Sequence, residues 1–197
     1  ALMSKVIAFC GPDGSGKSTQ AQLLAEKLPQ DSDVAVVRPI YLLVELLGLR
    51  NSTVENTSPR RQATEGNEAW YFALLTPVVA FPYLFFTVLY LRLLSANIVV
   101  CDRYVYQTLY DVYGNHTDLL LNVFPTPDVG FLLNPNQEVL AARMSGTDTS
   151  VDMTYYQNVM TFYDRNRAKM GLTELPAEER PREIHNKVVE HLEETLE

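Results

Sequence analysis

The run Gly11-Pro12-Asp13-Gly14-Ser15-Gly16-Lys17-Ser18 fits the spacing G-x-x-x-x-G-K-[ST]. It follows a short β-branched stretch, Lys5 to Phe9, and opens a segment in which Ala21, Leu24, Ala25 and Leu28 recur at helical spacing. That strand, turn and helix context gives the spacing its chemical meaning. Successive backbone N–H groups from Gly11 through Asp13, Gly14, Ser15 and Gly16 to Thr19, at the start of a helix, form a cradle for a triphosphate. Lys17 would neutralise the β and γ groups, and the Ser18 hydroxyl would ligate Mg²⁺. A glycine-rich structural turn is the bland alternative, and both the spacing and the context weigh against it.

A second cluster completes that chemistry. Ile98-Val99-Val100-Cys101 is an apolar strand ending in Asp102, as a carboxylate on the magnesium side requires, and Arg103 beside it brings a guanidinium to the developing phosphoryl charge. An Asp that merely caps a loop is the ordinary reading of one carboxylate, and the phosphate loop makes it the weaker one here. A hydroxyl acceptor needs a carboxylate base, whereas a phosphate with its second pKa near 6 is already anionic at pH 7 and mainly needs charge neutralisation. Arg38, rather than a carboxylate, ends the second strand, which favours a monophosphate acceptor. Asp111 stays open between a ligand for a sugar hydroxyl and a solvated helix residue.

The elements that must position these groups alternate along the chain. Strands are expected at Lys5 to Phe9, Asp33 to Arg38, Asn97 to Cys101, Asp128 to Leu133 and Leu172 to Leu175. Helices are expected at Lys17 to Leu28, Tyr41 to Leu49, Glu68 to Ser95, Val105 to Tyr113, Asp118 to Phe124, Asn136 to Met144 with Asn136 as cap, Asp152 to Met170, and Arg182 to Leu196. Asn51 to Gly66 reads as a loop. The alternation predicts an α/β fold of the P-loop type, a central parallel sheet of about five strands with helices on both faces, in one domain spanning 3–197. The small polar stretch near 144–152 is suited to a mobile lid.

Composition narrows the partners. The 197 residues are 47% hydrophobic and carry a formal charge of −8, which argues against a nucleic-acid groove or an anionic membrane surface and for small-molecule partners. The residues from Glu174 onward hold eight Glu against Arg180, Arg182 and Lys187, so the body of the chain is far less acidic than its end. Two cysteines, Cys10 and Cys101, are too few for a disulfide framework and suggest a reduced, cytoplasmic protein with both thiols buried. His116, His185 and His191 lack zinc spacing and are expected at the surface. The segment Ala69 to Leu91 has no charge over 23 residues and is long enough to cross a bilayer, but Pro77, Pro82 and its place between the two halves of one nucleotide site favour a buried helix instead.

Together, Phe9, Asp13-Gly-Ser-Gly-Lys-Ser-Thr-Gln20 and Asp102-Arg103-Tyr104 resemble the thymidylate kinase family of nucleoside monophosphate kinases, particularly a divergent branch in which an apolar helix precedes a DRYxY segment and a later Asp. The resemblance extends weakly over nearly the whole chain: Arg38-Pro39 matches the family's Arg-Glu-Pro position, and Leu133-Asn134, Glu138 and Arg143 match its fourth strand, helix and lid entry. It implies ATP and Mg²⁺, a nucleotide acceptor with dTMP foremost, and a homodimer packed through the apolar helix. By the same resemblance Asp13 would hold the acceptor's 3′-hydroxyl, Arg38 and Arg103 its phosphate, with Phe72 and Tyr104 also in the acceptor site, and Arg143 the adenine and lid side of ATP.

Several positions depart from the family. Cys10 replaces a Glu before the loop, and Thr76, four residues after Phe72, stands where a base-reading Arg is usual. Gln107, Asp111 and Val112 replace Ser, Tyr and Gln, and the lid holds no second arginine before Asp152. Arg60, Arg61, Arg165 or Arg167 are candidates to compensate. Two further readings stay open: a nucleotide-binding switch or scaffold with weak or lost transfer, and a kinase acting on a nucleoside or other small hydroxyl acceptor.

Overall fold

The computed structural model describes residues 4–28, 33–39, 69–144 and 153–196. The expected helix at Tyr41 to Leu49, the loop at Asn51 to Gly66, Arg60, Arg61 and the lid at 145–152 lie outside the described residues.

Five strands, β1 (Lys5–Cys10), β2 (Val34–Val37), β3 (Ile98–Asp102), β4 (Val129–Asn134) and β5 (Leu172–Pro176), form one sheet in the order β2-β3-β1-β4-β5. Every pairing is parallel. The helices are α1 (Lys17–Lys27), α2 (Ala69–Leu91), α3 (Tyr106–Tyr113), the one-turn α4 (Thr117–Leu120), α5 (Gln137–Met144), α6 (Met153–Met170) and α7 (Pro181–Leu196). A 3₁₀ turn at Gly114–His116 joins α3 to α4. The alternation read from the sequence is thus the observed α/β architecture.

The strands are continuously apolar because helices cover both faces of the sheet. Along β1, Val6, Ala8 and Cys10 pack on one side with Leu109 of α3 and Val159 and Tyr163 of α6, while Ile7 and Phe9 pack on the other with Leu24 of α1 and Val188 of α7. Cys10 and Cys101 are both buried free thiols. Gly130 is required where β4 meets β5, since a Cβ there would lie 2.9 Å from the Gly171 carbonyl and closer still to the Leu172 side chain.

Within the single chain, helix α2 is buried on one side only. Leu84, Val88 and Leu91 enter the core, and Phe81 and Phe85 pack edge-on against Phe124. Val78, Val79 and Phe86, however, are each more than three-fifths exposed. An unbroken apolar sequence carries no stripe to mark its inner side, so composition could not separate the two faces. Pro77 and Pro82 both lie within the helix, and the Tyr113 hydroxyl donates to the Pro77 carbonyl. Among the described residues no helix is long and apolar enough to cross a membrane.

His185 is a correction. It lies between Ile184 and Val188 on the inner stripe of α7 and is buried, with its Nδ1 unpartnered and its pKa lowered by desolvation and then by Lys27. Lone histidines are more often exposed, but position 185 precedes the buried Val188 by three residues and Leu192 by seven, which places it on the packed face.

Candidate active site

All five strands end at the same edge of the sheet, where open parallel α/β sheets bind their ligands. Gly11 through Thr19 turn from β1 into α1 at that edge. Gly11 has φ +132, and a Cβ there would come within 2.4 Å of the Leu133 carbonyl oxygen. Gly16, at φ +95, leads the chain into α1 with no side-chain cap, so amides of the first turn remain available to an anion.

Lys17 is buried, and its ammonium donates to the Pro12 carbonyl and, at 3.4 Å, to Ser15 Oγ. Asp13 Oδ1 stands 3.9 Å from it. Desolvation, followed by the charge of Arg103, lowers the Lys17 pKa to about 8, against the opposing pull of Asp13 and Asp102. A phosphate group would supply the negative charge this ammonium lacks.

Asp102 ends β3, with Phe9 of β1 as its register partner. Its carboxylate is buried; Oδ2 accepts from Arg38 Nε at 2.7 Å and Oδ1 is buried without a hydrogen-bond partner. Arg38 Nη2 also reaches Ser18 Oγ at 3.4 Å. Arg103 sits at φ +75, the one non-glycine residue with positive φ among those described. Its amide donates to the Phe9 carbonyl and its Nη1 pairs with Asp13 Oδ1 at 2.7 Å. The φ points the side chain back across β1 toward the loop, a strained conformation of the kind that clusters at functional sites.

Ser18 and Asp102 supply hard oxygen donors suited to a divalent cation, and the orphaned Oδ1 is the atom such an ion would satisfy. Among the described residues no three His, Cys, Asp or Glu side chains gather as a metal site. A divalent ion would therefore take most of its ligands from phosphate and water, as Mg²⁺ commonly does.

The remaining sequence candidates fall in different places. Tyr104 is buried, its hydroxyl donating to the Pro125 carbonyl, so its side chain faces the core rather than the loop. Arg143 lies in the last turn of α5 and donates to the Ala177 carbonyl at 2.9 Å, beside the β5–α7 connection. Phe72 and Thr76 are on α2, and their side chains lie outside the described residues. Arg165 and Arg167 are engaged elsewhere, pairing with Asp118 and Glu174. Neither is drawn to the phosphate loop.

Asp111 accepts from the Tyr155 hydroxyl at 2.6 Å, and that hydroxyl accepts from Gln107 Nε2 at 3.2 Å. Burial, followed by Asp111, raises the Tyr155 pKa, and Asp13 acts on it in the same direction. Tyr163 is fully buried, and burial holds its hydroxyl well above the usual phenol range. In the sequence Gln107 marks only a departure from the family. The available signal was phase: Tyr156 shares the inner stripe of α6 with Val159, Met160 and Tyr163, which leaves Tyr155 at its border.

No protein-family model matches the chain. A thymidylate kinase from Ehrlichia chaffeensis is 31% identical over 172 residues, covering 80% of this chain and 80% of that protein. A probable thymidylate kinase from Pyrococcus horikoshii is 32% identical over 174 residues, covering 74% and 73%. The solved thymidylate kinase from Candida albicans has the same fold at a TM-score of 0.61 with 16% identity, covering 97% of this chain and 92% of that one. The phosphate loop, the strand-end Asp102-Arg103 pair and this kinship place the chain in the thymidylate kinase family of nucleoside monophosphate kinases.

Proposed function

We propose that the protein transfers the γ-phosphoryl group of ATP to a nucleoside monophosphate, dTMP foremost, in an Mg²⁺-dependent reaction giving dTDP and ADP. The observation that carries this reading is the convergence of Lys17, Arg38 and Arg103 around the phosphate loop, with both arginines tethered to acidic residues of the same edge. Three cations at one edge of an acidic protein suit two phosphate chains that must approach each other.

The protein acts by positioning. The loop amides and Lys17 bind and orient the donor phosphates, with Arg143 and the β5–α7 connection on the adenine side. Arg38 and Arg103 hold the acceptor phosphate in line and offset its charge, and Asp13 takes the acceptor's 3′-hydroxyl. Ser18 and Asp102 would hold Mg²⁺, which would offset the negative charge of the donor phosphates. No general base is needed, because the acceptor oxygen is already ionised.

The whole chain works in this reading as one kinase domain of the cytoplasm, with 144–152 as its lid. The exposed side of α2, including Val78, Val79 and Phe86, packs against a second copy in a homodimer.

The test is Mg²⁺- and ATP-dependent ADP release with dTMP, dUMP, UMP, CMP, dGMP and the parent nucleosides, using Lys17→Ala as the blank. Stimulation by dTMP is expected. Stimulation by nucleosides alone would make this a nucleoside kinase, and no stimulation would leave a nucleotide-binding switch.

A further inference from the structure

The two oxygen donors assigned to the divalent cation are bridged by one guanidinium. Arg38 Nε lies 2.7 Å from Asp102 Oδ2 and its Nη2 lies 3.4 Å from Ser18 Oγ. Asp102 is nearly inaccessible, and its second oxygen is buried without a hydrogen-bond partner. A buried carboxylate requires a cation, and the guanidinium serves that need only in part, leaving Oδ1 unserved. A dication seated on the same side chains would repel Arg38 at close range.

Arg38 is built to move away. It follows the last residue of β2, its side chain is about half exposed, and no other side chain holds it among the described residues. Arg103 contrasts with it, being tied through its backbone to Phe9 and through its side chain to Asp13, with no bond to Asp102 or Ser18. The two arginines therefore differ in what they release when an acceptor phosphate draws them in.

We propose that Arg38 is a placeholder for the divalent cation, and that its transfer to the acceptor phosphate frees Asp102 and Ser18, coupling acceptor and metal binding positively. This rests on the kinase reading for the placement of acceptor phosphate and metal, and it adds an order to their assembly: the metal site is completed when the acceptor is present. By linkage, the metal strengthens acceptor binding by the same factor.

The experiment uses Mn²⁺ as a spin probe, its free concentration read by electron paramagnetic resonance, in protein saturated with ADP. Wild type, Arg38→Ala and Arg38→Gln are compared with and without dTMP, and in parallel with inorganic phosphate. Arg103→Met serves as the control for simple loss of a positive charge from the same edge. Circular dichroism verifies that each variant is folded, and the two Arg38 replacements guard against a defect peculiar to either.

In the absence of acceptor, both Arg38 variants are expected to bind Mn²⁺ about fivefold or more tightly than wild type, with a smaller gain in Arg103→Met. Addition of dTMP is expected to tighten Mn²⁺ binding in wild type by a similar factor and to have no such effect in the Arg38 variants. Equal or weaker Mn²⁺ binding without Arg38 overturns the proposal, as does a gain matched by Arg103→Met. Acceptor-stimulated ADP release with Mn²⁺ affinity indifferent to Arg38 would sink the placeholder and leave the kinase reading standing. An inactive acceptor panel would sink the kinase reading, while the acceptor-free comparison still decides whether Arg38 competes with the metal.

Discussion

The two ends of the sheet both carry arginine–aspartate pairs, yet they are built to different specifications. At the N-terminal edge, Asp128 takes the Val6 amide at 2.7 Å and two bonds from Arg92 Nη1 at 3.0 Å, and Arg92 Nη2 donates to the Thr126 carbonyl at 2.8 Å. Backbone and side chains close a network that ties the end of α2 to β1 and β4. At the C-terminal edge, Arg38–Asp102 and Arg103–Asp13 are as short, but Asp102 Oδ1 has no hydrogen-bond partner and Arg103 has a strained backbone. A saturated network holds one geometry; an unsaturated one can exchange partners. The difference assigns stability to one edge and ligand exchange to the other.

The largest expected effect breaks the ligand edge while sparing the fold. Lys17→Ala should lower acceptor-stimulated turnover about a thousandfold or more, since Lys17 is the buried cation of the loop. The same change removes a charge that burial disfavours, so the melting temperature should hold or rise. ADP release and thermal unfolding on one preparation check both halves, and a large drop in Tm would show that Lys17 is structural as well.

A crossed pair of variants sharpens the contrast. Asp102→Asn should cost about a hundredfold or more in turnover with little change in Tm, because its partner Arg38 is half solvated. Asp128→Ala should do the reverse. It leaves the buried Val6 amide without an acceptor and Arg92 with only the Thr126 carbonyl, for about 1–3 kcal/mol of stability by urea unfolding, with turnover per folded molecule within about twofold of wild type. Equal effects of the two variants on both measurements would dissolve the distinction between the edges.

Protonation provides a milder probe. With its pKa lowered to about 8, Lys17 loses its proton as pH rises from 7 to 9, and binding an anionic phosphate must restore it. The sign is unambiguous: nucleotide affinity falls on the alkaline side, by about tenfold between pH 7 and pH 9. Lys17→Arg keeps its charge over that range and should show a flat profile. Titration of a fluorescent ADP analogue into both proteins reads the difference.

What could be read from the sequence was local. The phosphate loop, the Asp102-Arg103 corner and the Asn136 cap are each fixed by a few consecutive residues whose spacing determines their geometry. The cross-links were not legible. Arg38 meets Asp102 across 64 residues and Arg103 meets Asp13 across the β1–β3 pairing, so both depend on the order β2-β3-β1, which no local pattern encodes. Tyr104, in a motif expected to touch the acceptor, turns to the core because the left-handed turn at Arg103 breaks the strand's alternation after β3 ends. Which side of α2 faces the core was illegible for the opposite reason: a sequence apolar on every side has no phase to read.

The smallest expected effect tests whether the ligand edge also has fixed parts. Asn136 Oδ1 accepts from the Val139 amide at 2.9 Å, capping the helix whose last turn carries Arg143, its guanidinium anchored on Ala177. Asn136→Ala should cost about 1 kcal/mol, the usual worth of such a cap. Because the Arg143 anchor lies at the other end of α5, fraying of the first turn should leave it in place, and affinity for ADP should stay within about twofold. A larger loss of ADP affinity would mean that the cap transmits to Arg143, and that α5 belongs with the exchangeable parts of the edge rather than with its frame.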